Sequence, residues 1–310
     1  MIDILGKRYV FFALSLLIIL PGLIMWATGG LPLAIDFTGG SILEVSFASG
    51  TSPVNTDVIA LYNTQGITDV QVQPTSDKSI LIIRTPFLDE TQQASIIKAI
   101  ETKFNDKVTI RTSDSVGPTV GREVASRAAI AVAVAGLAVV IYVTYAFRGI
   151  PHAFRYGVCA IIAMIHDIAL VMSLVNIGGK FFGWQVDSMF LTALLTVIGF
   201  SVQDKIVVFD RIRENTSVLR RLPFEKLVNH SIIQTLQRSI NTQLMTVEFM
   251  LLALALFGGV TLREFAVILL VGLLSGTYSS IFIAAPALVV WENKEWRTWF
   301  KPGKAKTATT

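Results

Sequence analysis

Six apolar runs of roughly twenty residues each, at 9–27, 124–146, 156–177, 188–208, 240–257 and 264–290, decide most of what this chain can become. As helices, each is long enough to cross a ~30 Å hydrocarbon core. In lipid a backbone must satisfy its own polar groups, so such runs fold as helices and pack as a bundle. With 53% hydrophobic and 15% charged residues and a mean hydropathy of +0.62, the chain is too apolar for an ordinary soluble domain. The fold expected is a membrane all-α six-helix bundle.

Short loops predict the orientation. Lys7 and Arg8 precede the first run, and Arg148 and Arg155 lie between the second and third. Arg211, Arg213, Arg220, Arg221, Lys226 and Arg238 lie between the fourth and fifth. Lys294, Arg297, Lys301, Lys304 and Lys306 follow the sixth. The short loops on the other side carry only Lys180 and Arg263. This bias places both termini in the cytoplasm. Trp26, Trp184, Trp291, Trp296 and Trp299 fall near span ends, as interfacial anchors do. The first run has no small-residue cleavage site after it and is read as an uncleaved anchor. The net charge of +4 is accounted for by topology. No aromatic-basic motif accompanies it, so no nucleic acid is expected. The single cysteine, Cys159, excludes an internal disulfide and a Cys-based zinc site. No metal or other cofactor is expected.

The chain divides into a first span at 1–32, a polar domain at 33–120, five further spans over 121–292 and a cytoplasmic tail at 293–310 that reads as disordered. Within 33–120 the pattern changes. Residues 41–47 alternate as a strand. Ser52 and Pro53 open a helix carrying Val54, Val58, Leu61 and Tyr62 at helical spacing. Residues 69–73 and 79–85 read as strands. Asp89 and Gln92 make a capping box before Ile96, Ile97, Ile100 and Phe104. Residues 108–111 give a last strand. The order β-α-β-β-α-β is that of an α+β ferredoxin-like unit, placed by topology outside the cytoplasm. It holds no histidine or cysteine, and its acidic residues are scattered, which favours binding or mechanics over catalysis. Residues 211–235 interleave apolar and basic residues and read as an amphipathic helix at the inner membrane interface.

Ionisable residues inside the spans point to function, because a charge at mid-bilayer costs at least ~2.5–3.5 kcal/mol. Ser201, Asp204 and Lys205 share one helix face at i, i+3 and i+4. Asp204 lies seven residues before Arg211, ~10 Å inside the cytoplasmic edge. Its expected partner is Arg238. Desolvation favours a neutral carboxyl and a nearby arginine favours an ionised one. Moving the arginine would therefore switch the proton, although a fixed Asp204–Arg238 pair clamping two spans fits the same residues. Lys205 either holds Asp204 ionised or reaches toward the interface. His166 and Asp167 form a second polar pair, for helix–helix hydrogen bonding or for an extended proton path. Glu248 is expected to pair with Lys205 or His166, or to be neutral. Gly272, Gly276, Ser280 and Ala284 form a small-residue stripe for close helix packing.

Together these motifs resemble the SecF branch of the SecD/SecF protein-export family, within the RND superfamily. The resemblance runs through Ile35-Asp36-Phe37-Thr38-Gly39-Gly40, Ser115-Val116-Gly117-Pro118, His166-Asp167, Val207 to Asn215 with Asp210 and Arg211, Arg238-Ser239-Ile240-Asn241-Thr242, and Gly258-Gly259. It implies one half, RND-type, of a twelve-span assembly in the bacterial cytoplasmic membrane. SecD would supply the other half, and SecYEG and YajC would be neighbours. The pair would use the proton-motive force to promote late-stage export of translocating polypeptide, and would not be an enzyme. The family's proton-linked aspartate falls on Asp204 and its arginine on Arg238. The family usually has Asn-Asp-Thr where this chain has Gln203-Asp204-Lys205, and an apolar residue at Glu248, which raises the hypothesis of a compensating Lys205–Glu248 pair. A small-molecule RND exporter is the alternative. It is disfavoured by an outside domain of only about 85 residues and a single six-span set. A passive scaffold and an intramembrane enzyme follow, the latter lacking a nucleophile–base pair.

Overall fold

The computed structural model describes residues 3–75, 77–148, 153–243 and 249–297. The protein is mostly helical with one small sheet. It divides into two compact units, one of Met1–Pro32 with Ala131–Thr310 and one of Leu33–Ile130.

The Leu33–Ile130 unit holds α2 (Ile35–Thr38), β1 (Gly40–Phe47), α3 (Asn55–Thr64), β2 (Gln71–Pro74), β3 (Ile80–Thr85), α4 (Glu90–Phe104), β4 (Val108–Val116) and the start of α5 (Pro118–Ala146). The sheet order is β2-β3-β1-β4, every neighbour antiparallel. Alternation along β1 buries Leu43, Val45 and Phe47. These pack with Leu81 and Ile83 of β3, Val58, Leu61 and Tyr62 of α3, and Ile96 and Ile100 of α4. The expected capping box is present: Gln92 N donates to Asp89 Oδ1 at 2.7 Å, and Asp89 N donates to Gln92 Oε1 at 3.1 Å. The Thr91 hydroxyl and the Gln92 backbone N–H, both donating to it, hold the Asp89 carboxyl below its usual range.

Two details differ from the sequence pattern. α3 starts at Asn55 after an extended Val54, later than Ser52 and Pro53 suggested, and no side chain caps it. β4 runs to Val116, beyond 111, because its second half is polar and carries no alternation. Pairing with β1 extends it, across an irregularity at Glu44 and Val45.

The glycines at the start of β1 have a steric reason. Gly39 sits at φ +74 and Gly40 at φ +141. A Cβ on Gly39 would lie 2.7 Å from Pro118 Cα, and one on Gly121 only 2.6 Å from Gly39 N. The first turn of α5 is thus seated directly on the backbone that enters the sheet. Gly117 has open space where its Cβ would be.

The other unit holds α1 (Arg8–Gly29), the rest of α5, α6 (Ala153–Phe182), α7 (Ser188–Val218), α8 (Phe224–Gln243), α9 (Phe249–Phe257), α10 (Val260–Ser279), a π-helical turn at Ser280–Ala284 and α11 (Ala285–Glu292). Among the described residues, five helical stretches are long and apolar enough to span: Leu5–Gly29, Pro118–Ala146, Ala153–Phe182, Ser188–Val218 and Leu262–Glu292. The run expected as another span, 240–257, comprises the end of α8, residues 244–248 outside the described set, and α9. Five of the six expected runs are thus spans among the described residues, and the remaining one lies partly outside them.

The loop expected at 211–235 is different in kind. α7 continues to Val218 and α8 begins at Phe224. Leu227, Val228, Ser231, Ile232 and Thr235 of α8 are buried in protein. They join a core with Phe209 and Ile212 of α7 and Leu288 and Val289 of α11. An amphipathic face reads alike whether it meets lipid or a neighbouring helix, and here it meets helices. Asn215 Nδ2 donates to Ser231 Oγ at 2.8 Å and to Gln234 Oε1 at 2.9 Å, binding α7 to α8. Arg8 bridges Glu225 at 2.6 Å and Glu295 at 2.7 Å, tying α1 to α8 and to the turn after α11.

Steric logic makes a testable separation among the glycines at this junction. Gly39→Ala incurs a left-handed backbone penalty of ~1–2 kcal/mol before any clash, and Gly121→Ala forces two backbones apart. Both are expected to lower the unfolding midpoint of the detergent-purified protein clearly, with Gly117→Ala close to wild type. A Gly117→Ala midpoint as low as that of Gly121→Ala would defeat this account.

Candidate functional site

The densest polar chemistry inside the bundle is built by α6, α7 and α10. Glycine brings them together. A Cβ on Gly272 would come within 2.4 Å of Val197 Cγ2, and one on Gly276 within 3.1 Å of Ser201 Cα. α10 therefore lies close against α7, and its Ser275 and Ser279, one turn apart, face the same direction as Gly272 and Gly276.

That direction leads to Asp167 on α6, which is 1% exposed. Its Oδ2 accepts from Ser201 Oγ at 2.5 Å, Lys205 Nζ at 2.8 Å and Ser279 Oγ at 2.7 Å. Its Oδ1 accepts from Ser275 Oγ at 2.7 Å and stands 3.1 Å from His166 Nδ1. Lys205 is fully buried. Its ammonium also donates to the Ser201 carbonyl at 3.2 Å and makes a short contact with Ser201 Oγ. All three of its protons thus have oxygen partners. The pair is neutral as a unit, which is the condition for keeping two charges away from water.

Asp204, the residue singled out from sequence, lies at the edge of this cluster. It is half-buried, and its Oδ2 accepts from Thr277 Oγ1 on α10 at 2.7 Å. Among the described residues no ion pair joins it to Arg238, whose side chain is exposed on α8. The expected Asp204–Arg238 pair is replaced in this arrangement by Asp167–Lys205. Lys205 does not reach for the interface: its ammonium is drawn inward by a carboxylate one helix away. Glu248 lies outside the described residues, and Lys205 has its hydrogen bonds filled by Asp167 and Ser201.

His166 stands between two environments. One ring nitrogen faces Asp167, and the ring stacks on Tyr278 at 6.0 Å. Its Nε2 has no partner among the described residues. The ring also lines an apolar cavity of about 530 Å³ with Phe12, Leu16, Ile19, Ile283 and Trp291. Tyr278 donates to the Phe11 carbonyl at 3.0 Å and accepts from Ser15 at 3.1 Å, linking α1 to this edge. His166 and Asp167 are thus brought to the Lys205 cluster.

The remaining motif residues lie elsewhere. Asp36 is in the first turn of α2, beside Gly39 and Gly40. Gly117 and Pro118 open α5. Asp210 pairs with Arg213 at 2.9 Å, while Arg211 contacts Glu214 and Gln234, each at 2.7 Å, all at the α7–α8 end. Ser280 is buried and bonds to the Thr277 carbonyl at 2.8 Å as the π turn begins. The sequence reading missed Ser275, Thr277 and Ser279. Ser275 and Ser279 are spaced i, i+4 beside the glycines of the small-residue stripe, and that spacing was the available signal. Among the described residues, no group of three or more His, Cys, Asp or Glu could hold a metal ion.

Comparison with known proteins gives concordant matches. Residues 96–294 match the family described as protein export membrane protein SecD/SecF, C-terminal, and residues 24–50 match the SecD/SecF GG motif. The protein translocase subunit SecF of Anaerolinea thermophila is 67% identical over 309 residues, covering 100% of both chains. That of Thermobaculum terrenum is 45% identical over 324 residues, again covering 100% of both. The crystal structure of SecDF from Thermus thermophilus superposes with a TM-score of 0.80 at 30% identity, covering 94% of this chain and 39% of that one. SecDF in a super-membrane-facing form gives 0.62, covering 96% and 39%. The chain thus spans about two-fifths of the SecDF chains it matches.

The geometry predicts an asymmetric mutational response. Lys205→Met leaves Asp167 buried without its counter-charge, at a cost of about 3–5 kcal/mol. Combining it with Asp167→Asn removes both charges and is expected to cost less than Lys205→Met alone. Arg238→Met, on an exposed side chain, should stay within about 0.5 kcal/mol of wild type. Denaturant midpoints in micelles measure all three. Equal costs for the Lys205→Met single and the double variant would refute the pairing.

Proposed function

Because the chain belongs to the SecD/SecF family of protein export membrane proteins, we propose that it works as the SecF-type subunit of a protein translocase. It pairs with a SecD-type half and uses the proton-motive force to promote late-stage export of polypeptides across the cytoplasmic membrane. Full-length similarity to proteins named SecF, and partial coverage of SecDF chains, support the pairing of halves. SecYEG and YajC are its expected neighbours. The proposed bundle has six spans, with α9 and the residues before it supplying the fifth. Both termini are cytoplasmic, as the excess of Lys and Arg on that side supports. The Leu33–Ile130 unit lies outside the cytoplasm. Its β-α-β-β-α-β order and β2-β3-β1-β4 sheet support a ferredoxin-like domain that handles emerging polypeptide.

One observation carries the ion-driven part of this reading: two carboxylates in the bundle with contrasting surroundings. Asp167 is enclosed by one ammonium, three serine hydroxyls and the His166 ring. Asp204 has a threonine hydroxyl and partial access. A group that exchanges protons needs a route to them, so Asp204 is the exchanging carboxylate and Asp167–Lys205 the fixed pair beside it. Arg238 approaches Asp204 in one arrangement of the bundle and withdraws in another. Their separation here suits the withdrawn end of such a cycle. Proton exchange at Asp204 then biases the two arrangements, and the outside domain moves with them.

Secretion of a reporter protein, in cells depleted of the native subunit and rescued at equal membrane abundance, tests this. Asp204→Asn and Arg238→Met are each expected to slow export about tenfold or more, the loss of ~1.4 kcal/mol of drive, while co-purification with the SecD-type half is unchanged. Full export by both variants would sink the ion-driven role and leave a passive subunit.

A further inference from the structure

We propose that Lys205 is the tethered occupant of a monovalent-cation site, and that its ammonium keeps sodium out of the bundle. This deepens the reading of the same site given above, but the binding test needs no export activity. The ammonium sits among hard oxygens: it meets Asp167 Oδ2, Ser201 Oγ and the Ser201 carbonyl, while the Ser279 hydroxyl shares that carboxylate oxygen and Ser275 donates to the other. No nitrogen or sulfur ligand stands among them apart from the His166 ring on the far carboxylate oxygen. Such a set suits hard cations rather than soft ones. Each serine gives its proton to Asp167 and keeps lone pairs that can face a cation.

Charge decides the class of ion. Asp167 is the one carboxylate that the ammonium touches, the serines around it are buried, and Asp204 at the edge of the cluster is bonded to Thr277. A monovalent cation leaves the cluster neutral, as the ammonium does. A divalent ion would leave a net positive charge beside Asp167 in a fully buried position, at heavy desolvation cost. The ammonium arrives on the helical turn that carries Ser201, so the chain itself delivers the cation. A side chain too short to reach Asp167 vacates a pocket of oxygen ligands that still needs one positive charge. Sodium is the abundant ion that fits this need.

The test compares the detergent-purified wild type, Lys205→Thr and the charge-free Asp167→Asn/Lys205→Met double variant in sodium chloride and in choline chloride at equal ionic strength. Sodium is expected to raise the unfolding midpoint of Lys205→Thr saturably, by roughly 3–6 °C. Wild type, with its site filled, and the double variant, with no carboxylate, should not respond. A Lys205→Thr midpoint indifferent to sodium, or a wild-type midpoint that rises equally, would overturn the proposal. Should Lys205→Thr accumulate too poorly to purify, its abundance in membranes of cells grown in sodium or in potassium medium is compared with that of the double variant. Abundance restored by sodium in the single variant alone supports the site, and equal abundance in both media overturns it. Reporter export by Asp204→Asn stays a separate measurement, so failure of proton coupling and failure of cation binding are told apart.

Discussion

The buried ion pair between Asp167 and Lys205 is the constraint on which the bundle's arrangement depends. In lipid the hydrophobic effect does not drive one apolar helix onto another, so packing and polar contacts choose the partners. A carboxylate on α6 and an ammonium on α7 must meet, because neither tolerates lipid alone. That meeting fixes the rotation of both helices. Ser275 and Ser279 then fix α10 to within about one residue of register, since a shift by one position turns a helix by ~100° and carries both hydroxyls away from Asp167. The glycines at 272 and 276 make the required approach possible by removing the side chains that Val197 and Ser201 would strike. Charge and steric permission are therefore two halves of one device: the pair says where α10 must sit, and the stripe lets it sit there.

The Leu33–Ile130 unit follows a different logic within the same chain. Its core of Leu43, Val45, Phe47, Val58, Leu81, Ile83 and Ile100 is the product of ordinary alternation and helical spacing, organised by exclusion from water. The steric demand falls at the point where β1 begins. There Gly39 and Gly121 touch backbone to backbone, and Pro118, which has no N–H to leave unsatisfied in a first turn, starts α5. Small residues serve both units, by letting backbones come closer than side chains would permit.

What the sequence made legible follows from which forces are local. Span positions came from hydropathy, and the element order of the sheet domain from alternation, spacing and the Asp89–Gln92 cap, all of which act within a few residues. Partners across helices were another matter. Ser201, Asp204 and Lys205 were placed correctly on one turn, yet the assignment of Asp204 to Arg238 followed charge complementarity and distance along the chain, which do not reveal the facing helix. His166 and Asp167 were noticed as a pair and not as the counter-charge for Lys205, because α6 and α7 face each other by packing that no single segment encodes. Ser275 and Ser279 went unremarked, since a hydroxyl aimed at a carboxylate and one idle on a helix have the same sequence. The second half of β4 was invisible because both its faces are polar, and the partners of α8 were hidden because an amphipathic helix does not state what covers it.

In the proposed cycle the neutral Asp167–Lys205 pair has an electrostatic consequence for Asp204. With Lys205 already committed, the ammonium next in sequence cannot serve as its full counter-ion, so the charge of Asp204 must be balanced from elsewhere. A proton or the Arg238 guanidinium can do this, and the two are alternatives. The arrangement with the arginine withdrawn favours protonation, and the arrangement with it near favours release. A proton crossing 100 mV carries about 2.3 kcal/mol, enough to move a two-state equilibrium roughly fifty-fold. That is ample for a subunit whose two arrangements lie within a few kcal/mol of one another, and it needs no strain in the fixed pair. Lys205 thus has a definite place in that cycle: it neutralises one carboxylate so that the other alone reports the proton.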